Sequence, residues 1–171
     1  MEIINKVAES GIITLDLEQF YPKEEIVEFD IKQYLFKELI LKEIEFRQAL
    51  KTVDWSQYQN KIVTIFCSSD AILPQWSFML ITQYLVPYTS KIYFGNKEKV
   101  EQDLYLENIK QLDTTIYIDQ RVVIKGCSNK KNLDAAFVEI SKLLIPKVKS
   151  LFFGVVASAT VPLLLETVRA N

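Results

Sequence analysis

From residue 61 onward the chain alternates between short apolar runs and longer stretches with helical spacing. The runs KIVTIF at 61–66, KIYF at 91–94, RVVIK at 121–125 and LFFGVV at 151–156 are β-branched or aromatic and scarcely alternate. That is the pattern of strands buried on both faces. Between them, Ser69 or Asp70 can cap a helix through residue 86, with Pro74 near its first turn. Asn96 can cap a second helix through about residue 112, and Asn132 a third through residue 144 or beyond. The third has the clearest face: Leu133, Ala136, Phe137, Ile140, Leu143 and Leu144 recur at three- and four-residue spacing, with Asp134, Glu139, Ser141 and Lys142 elsewhere.

Strand and helix in alternation predict parallel βαβ units, so residues 61–171 are expected to form a three-layer, Rossmann-like, mostly parallel α/β sheet. The first sixty residues read differently. Residues 12–17 and 26–29 look like strands, and a helical stretch follows over 31–53, continuous or broken around 39–41. A polar connection, DWSQYQN at 54–60, carries Trp55 and Tyr58 as anchors. No Pro-, Gly- or Ser-rich linker sets this part off. It is expected to be a β/α extension packed on the 61–171 core within a single domain, and no solenoid-type repeat is expected.

Composition then removes whole classes of chemistry. With no histidine among 171 residues, a Ser-His-Asp or Cys-His relay, a His-bearing zinc site and an imidazole pH switch are all excluded. Four glycines, Gly11, Gly95, Gly126 and Gly154, stand singly. Neither a dinucleotide fingerprint nor a phosphate-cradling loop can be written, and no nucleotide cofactor is expected. The net charge of −2, with Arg47, Arg121 and Arg169 the only arginines, disfavours nucleic acid as a partner. The uncharged stretch 150–165 is shorter than a spanning helix and is interrupted by Gly154 and Pro162. It is read as a buried strand followed by an apolar turn or helix, not as a membrane segment. Two cysteines and no basic-then-apolar start point to a reducing cytoplasm.

Thiols, carboxylates and lysines remain, and they gather at strand ends. One proposed strand runs into Cys67-Ser68-Ser69-Asp70 and another into Gly126-Cys127-Ser128-Asn129. In open parallel sheets ligands bind beyond the carboxyl ends of the strands. Cys67, Ser68, Asp70, Cys127 and Ser128 are therefore the candidate binding residues, and if the two strands are neighbours the thiols flank the crevice. Helix amino termini there would favour thiolates and anions, and two thiolates with a carboxylate would suit zinc or iron, with Cys67 and Cys127 as the metal ligands. The rival reading is packing, because free cysteine is among the most buried residue types and Ser and Asp make good caps. Lys125, Lys130 and Lys131 surround the second cysteine as an anion-attracting cluster or a solvated face.

The motifs GIITLDLEQFYP at 11–22, Leu41-Lys42-Glu43 with Phe46-Arg47, DWSQY at 54–58, CSSDAI with Pro74 and Trp76, VIKGCS at 123–128, and Phe153-Gly154 with Val161-Pro162-Leu163 run nearly the length of the chain. In them the sequence resembles the bacterial family of unknown function numbered 2480. The resemblance implies no activity. It implies a gene association with iron–sulfur assembly and a third cysteine in the turn after the last strand, where this chain has Val156-Ala157-Ser158-Ala159. The expected function is non-enzymatic binding of a small ligand, metal ion or protein partner near the two cysteines, as an accessory in iron–sulfur or thiol metabolism. The rivals are an enzyme using Asp70 with a lysine on a small anionic substrate, and a structural homo-oligomer. With 12% aromatic residues, a homodimer is expected.

Overall fold

Each expected strand is present, the 151–156 run as far as Phe153 with residues 155 and 156 outside the described set, and the partners they choose set the architecture. The computed structural model describes residues 11–126, 133–154 and, as backbone, 161–163. Its strands are β1 (Ile12–Asp16), β2 (Ile26–Asp30), β3 (Ile62–Phe66), β4 (Ile92–Phe94), β5 (Arg121–Lys125), β6 (Ser150–Phe153) and β7 (Val161–Leu163). The helices among the described residues are α1 (Glu43–Thr52), α2 (Gln75–Leu85), α3 (Lys97–Lys110) and α4 (Leu133–Leu144). The fold is mixed α/β and Rossmann-like, with mostly parallel sheets.

The strands form two sheets rather than one. β2, β3 and β4 pair in that order, all parallel, while β1, β5 and β6 form a second parallel set extended by antiparallel β7. The chain accordingly divides into a nested unit, Lys23–Glu101, and a flanking unit drawn from Met1–Pro22 and Gln102–Asn171. β2 and α1, expected in an extension to the 61–171 sheet, lie with β3, α2 and β4, whereas β1 takes β5 as its neighbour. A parallel strand buried on both faces has nothing in its own composition that names its partner.

Each unit has its own core. In the nested unit Phe29, Phe46, Leu50, Trp55, Val63, Ile65, Ile81 and Leu85 cluster together. In the flanking unit Leu15, Leu17, Tyr105, Ile109, Val122, Ile124, Ile140 and Leu144 do the same. The expected face of α4 is the one it buries, with Ala136, Ile140 and Leu144 inaccessible and Leu133, Phe137 and Leu143 packed beside them. Trp55 and Tyr58 are the expected anchors, buried on a short 3-10 turn.

Two helices are shorter than expected. α2 begins at Gln75, because Pro74 keeps an extended conformation (φ −68°, ψ 137°) and biases the residue before it away from the helical region. Residues 67–74 are therefore a loop. The stretch 31–53 breaks into a 3-10 turn at Ile31–Tyr34 and helix α1, separated by left-handed Lys37 and Glu38 and an isolated Phe36↔Ile40 bridge. In the stretch 150–165, residues 161–163 are strand rather than turn or helix. No helix among the described residues is long and apolar enough to cross a membrane.

The two units repeat one plan at a constant shift of 59 residues. Asp54, Tyr58, Ile65, Phe78, Ile81, Leu85, Pro87, Phe94 and Gly95 recur as Asp113, Tyr117, Ile124, Phe137, Ile140, Leu144, Pro146, Phe153 and Gly154. The hydrogen bonds recur with them. Asp54 accepts from Ser56 N–H and Asp113 from Thr115 N–H. Left-handed Asn60 donates to the Tyr88 carbonyl, as left-handed Asp119 does to that of Lys147. β1 and β2 are likewise alike: Ile12, Asp16, Gln19 and Phe20 correspond to Ile26, Asp30, Gln33 and Tyr34. The chain is thus a tandem βαβ repeat in which β1 serves the second copy and β2 the first.

Candidate functional site

In each unit an aspartate closes the carboxyl end of the first strand. Asp30, last residue of β2, caps the 3-10 turn after it by accepting from Lys32 N–H at 2.9 Å. The same carboxylate crosses to the residue two beyond β3, accepting from Ser68 N–H at 3.1 Å and from its hydroxyl at 2.6 Å. Burial alone would raise the Asp30 carboxyl. Hydrogen bonds from the Ser68 hydroxyl, Lys32 N–H and Ser68 N–H outweigh it and hold the group below its ordinary value. Asp16 occupies the matching place on β1, accepting from Glu18 N–H at 3.0 Å and Lys125 Nζ at 2.9 Å. The Glu18 backbone bond and the Lys125 ammonium lower its carboxyl too.

The start of the β3–α2 loop is therefore tied down. Cys67 is partly buried against the nested core, with its Sγ 3.2 Å from the Ser69 hydroxyl. Ser68 and Asp70 are exposed. Further along, Ala71 and Leu73 pack on the core while Ile72 between them is 95% exposed. The loop thus presents an unpaired apolar side chain from a base fixed by Asp30.

The condition set for a two-thiol crevice, that the strands before the cysteines be neighbours, is not met. β3 pairs with β2 and β4, and β5 with β1 and β6, so the strands preceding the two cysteines are not neighbours. In the repeat register Cys67 matches Gly126 and Ser68 matches Cys127, so the thiols do not hold equivalent positions. At Gly126 a Cβ would meet the Phe137 ring at 2.8 Å, which accounts for glycine there. Cys127, Ser128, Lys130 and Lys131 lie outside the described residues. Among the described residues no three His, Cys, Asp or Glu side chains are grouped to hold a metal. Of the lysines that could serve Asp70 in the enzyme reading, Lys125 is paired with Asp16 and Lys130 lies outside the described residues.

Asp16 and Asp30 were the functional-looking residues hidden from composition and spacing alone. Their signal is the shared frame Ile-x-x-apolar-Asp-apolar-x-Gln-aromatic at 12–20 and 26–34. It marks a strand ending on a side-chain cap. The sign of the Asp30 shift gives a test. A carboxyl lowered in the folded state stabilises fully above its ordinary value of 3.8 and loses that contribution as pH falls through the lower folded value. Urea titrations at pH 7 and pH 3 are expected to show Asp30→Asn losing less stability on acidification than the wild-type chain. At pH 7 Asp30→Ala is expected to cost about 1–2 kcal/mol, the scale of a lost cap.

Two parallel-stranded units with capped strand ends, and a β3–α2 loop tied to Asp30, define a mixed α/β protein. The chain belongs to the family described as Protein of unknown function (DUF2480), which matches residues 1–165. No curated protein and no solved structure matches it.

Proposed function

We propose that this protein is a non-catalytic binding protein whose recognition element is the β3–α2 loop, residues 67–74, with a protein partner covering Ile72 and the partly buried Cys67 thiol of the same loop. The observation that carries the reading is the fixed base of the loop. The Asp30 carboxylate holds Ser68 by two hydrogen bonds, so an exposed isoleucine is displayed from an anchored frame. Displaying a large apolar side chain to water is unfavourable by about 1.5–3 kcal/mol relative to burying it, which a partner recovers. Binding from a preorganised loop also spares the ordering cost. A metal-ion reading would require Cys67 together with residues outside the described set.

Peptide-resolved alkylation by iodoacetamide distinguishes these outcomes. Cys67 is expected to react several-fold more slowly in fresh extract than in purified protein, and Ile72→Asp is expected to abolish that protection without lowering the melting temperature. Protection that survives Ile72→Asp but vanishes on adding a chelator assigns the occupant as a metal ion. Equal rates in extract and in purified protein overturn the reading.

A further inference from the structure

The tandem repeat makes β4 and β6 equivalent, yet their outer edges are treated differently. Ile92, Phe94 and Gly95 match Leu151, Phe153 and Gly154. Gly95 and Gly154 adopt φ +129° and +132°, and donate to the Ile65 and Ile124 carbonyls at 3.1 and 3.2 Å. Phe94 meets Phe78 edge-on at 5.6 Å, and Phe153 meets Phe137 at 5.1 Å. Along β6 runs antiparallel β7, with Leu151 opposite Leu163 and Phe153 opposite Val161. Along β4 runs no strand among the described residues, and its sheet ends there.

The uncovered edge is built for pairing. The Lys91 carbonyl and Gly95 N–H turn toward β3. By the two-residue alternation of a strand, the peptide groups of Ile92 and Phe94 point outward. Edge strands are ordinarily blunted by charge, proline or a bulge. β4 is Ile-Tyr-Phe, with neither charge nor proline inside it, and Phe94 is 71% exposed. An apolar groove of about 440 Å³ lies beside it, lined by Ile65, Phe78, Thr82, Ile92 and Phe94.

We propose that β4 is the homodimer edge of this protein, covered by β4 of a second copy. β7 shows that the equivalent edge takes a short apolar antiparallel strand, and β4 is itself such a strand. A two-fold axis through Tyr93 sets Ile92 opposite the partner's Phe94 and Phe94 opposite the partner's Ile92, repeating the pairing of Leu151 and Phe153 with β7. Lys91 then falls opposite the partner's Gly95, so no like charges meet. Lys91 is already paired with Glu24. The two three-stranded sheets become one sheet of six strands, and the Phe94 rings close over the grooves. The interface is separate from the β3–α2 loop of the proposed recognition site.

Sedimentation of the full chain from 1 to 200 µM tests the pairing. A dimer is expected in the micromolar range. Phe94→Lys is expected to weaken it at least tenfold, and so is Ile92→Pro, whose only lost hydrogen-bond donor is an outward N–H. In case either variant fails to fold, amide exchange of the wild-type chain supplies a second readout: Ile92 and Phe94 are expected to be protected at high concentration and to exchange faster on dilution. A chain monomeric at 200 µM overturns the proposal. So does a dimer of unchanged affinity in both folded variants, or one in which those amides exchange freely. A monomer that binds a synthetic TVPLLL peptide, the sequence of residues 160–165, overturns self-pairing and assigns the edge to another strand.

Discussion

Replacing Trp55 by alanine is expected to remove about 3–5 kcal/mol of stability, the scale of a deleted buried tryptophan and a large share of what a domain of this size possesses. The indole is stacked between Phe29 at 5.4 Å and Tyr84 at 5.0 Å, with Tyr58 tilted beside it at 5.9 Å. It thereby joins β2, α2 and its own 3-10 turn in one aromatic cluster. Its Nε1–H donates to the Leu50 carbonyl at 2.9 Å, close to the carboxyl end of α1, where helix carbonyls lack internal donors. Trp55→Phe separates the two contributions: it keeps an aromatic ring in the stack but removes the donor, and about 1–3 kcal/mol is expected from the stranded carbonyl. Urea midpoints with unchanged slopes measure both, and a Trp55→Ala cost under 1 kcal/mol contradicts this account of the nested core.

Ile81→Ala and Ile140→Ala are each expected to cost about 2–5 kcal/mol, and by similar amounts. Both side chains are wholly inaccessible, and both stand at the same place in the repeat, on the inward face of the helix that links two parallel strands. Their surroundings correspond as well: Leu85 and Ile65 in one core answer to Leu144 and Ile124 in the other. Thermal or urea unfolding of the two variants compares the halves directly. A cost confined to one of them would show that the repeat preserves shape without preserving packing energy.

The local features of the fold were legible because they are written in neighbouring residues. Short β-branched runs marked β3 to β6, and the spacing of Leu133, Ala136, Ile140 and Leu144 marked both α4 and its buried face. What was not legible is what depends on residues far apart. The partners of β1 and β2 are set by pairing across the chain. The start of α2 turned on Pro74, whose conformation excludes the capping role given to Ser69 or Asp70. At the candidate site, Cys67 and Ser68 were placed correctly beyond the end of β3, but the carboxylate that fixes them is Asp30, 38 residues earlier. The repeat is hard to read in the sequence because its identities are spaced for packing, at Tyr58, Ile65, Ile81 and Phe94, rather than run together as a motif.

The nesting of one unit within the other imposes an order on synthesis and folding. β2 meets β3 across a short stretch, with the Asp30–Ser68 tie spanning 38 residues, whereas the Asp16–Lys125 tie spans 109. Closing the longer loop costs about 1 kcal/mol more in chain entropy. The larger effect is temporal, since domains form as the chain leaves the ribosome from its amino end. Residues 23–101 are complete before β5 exists, so β1, the first of the described strands, is the one that waits longest for its neighbour. A nascent chain halted before residue 121 holds every part of the nested unit and an unpaired IITLD strand.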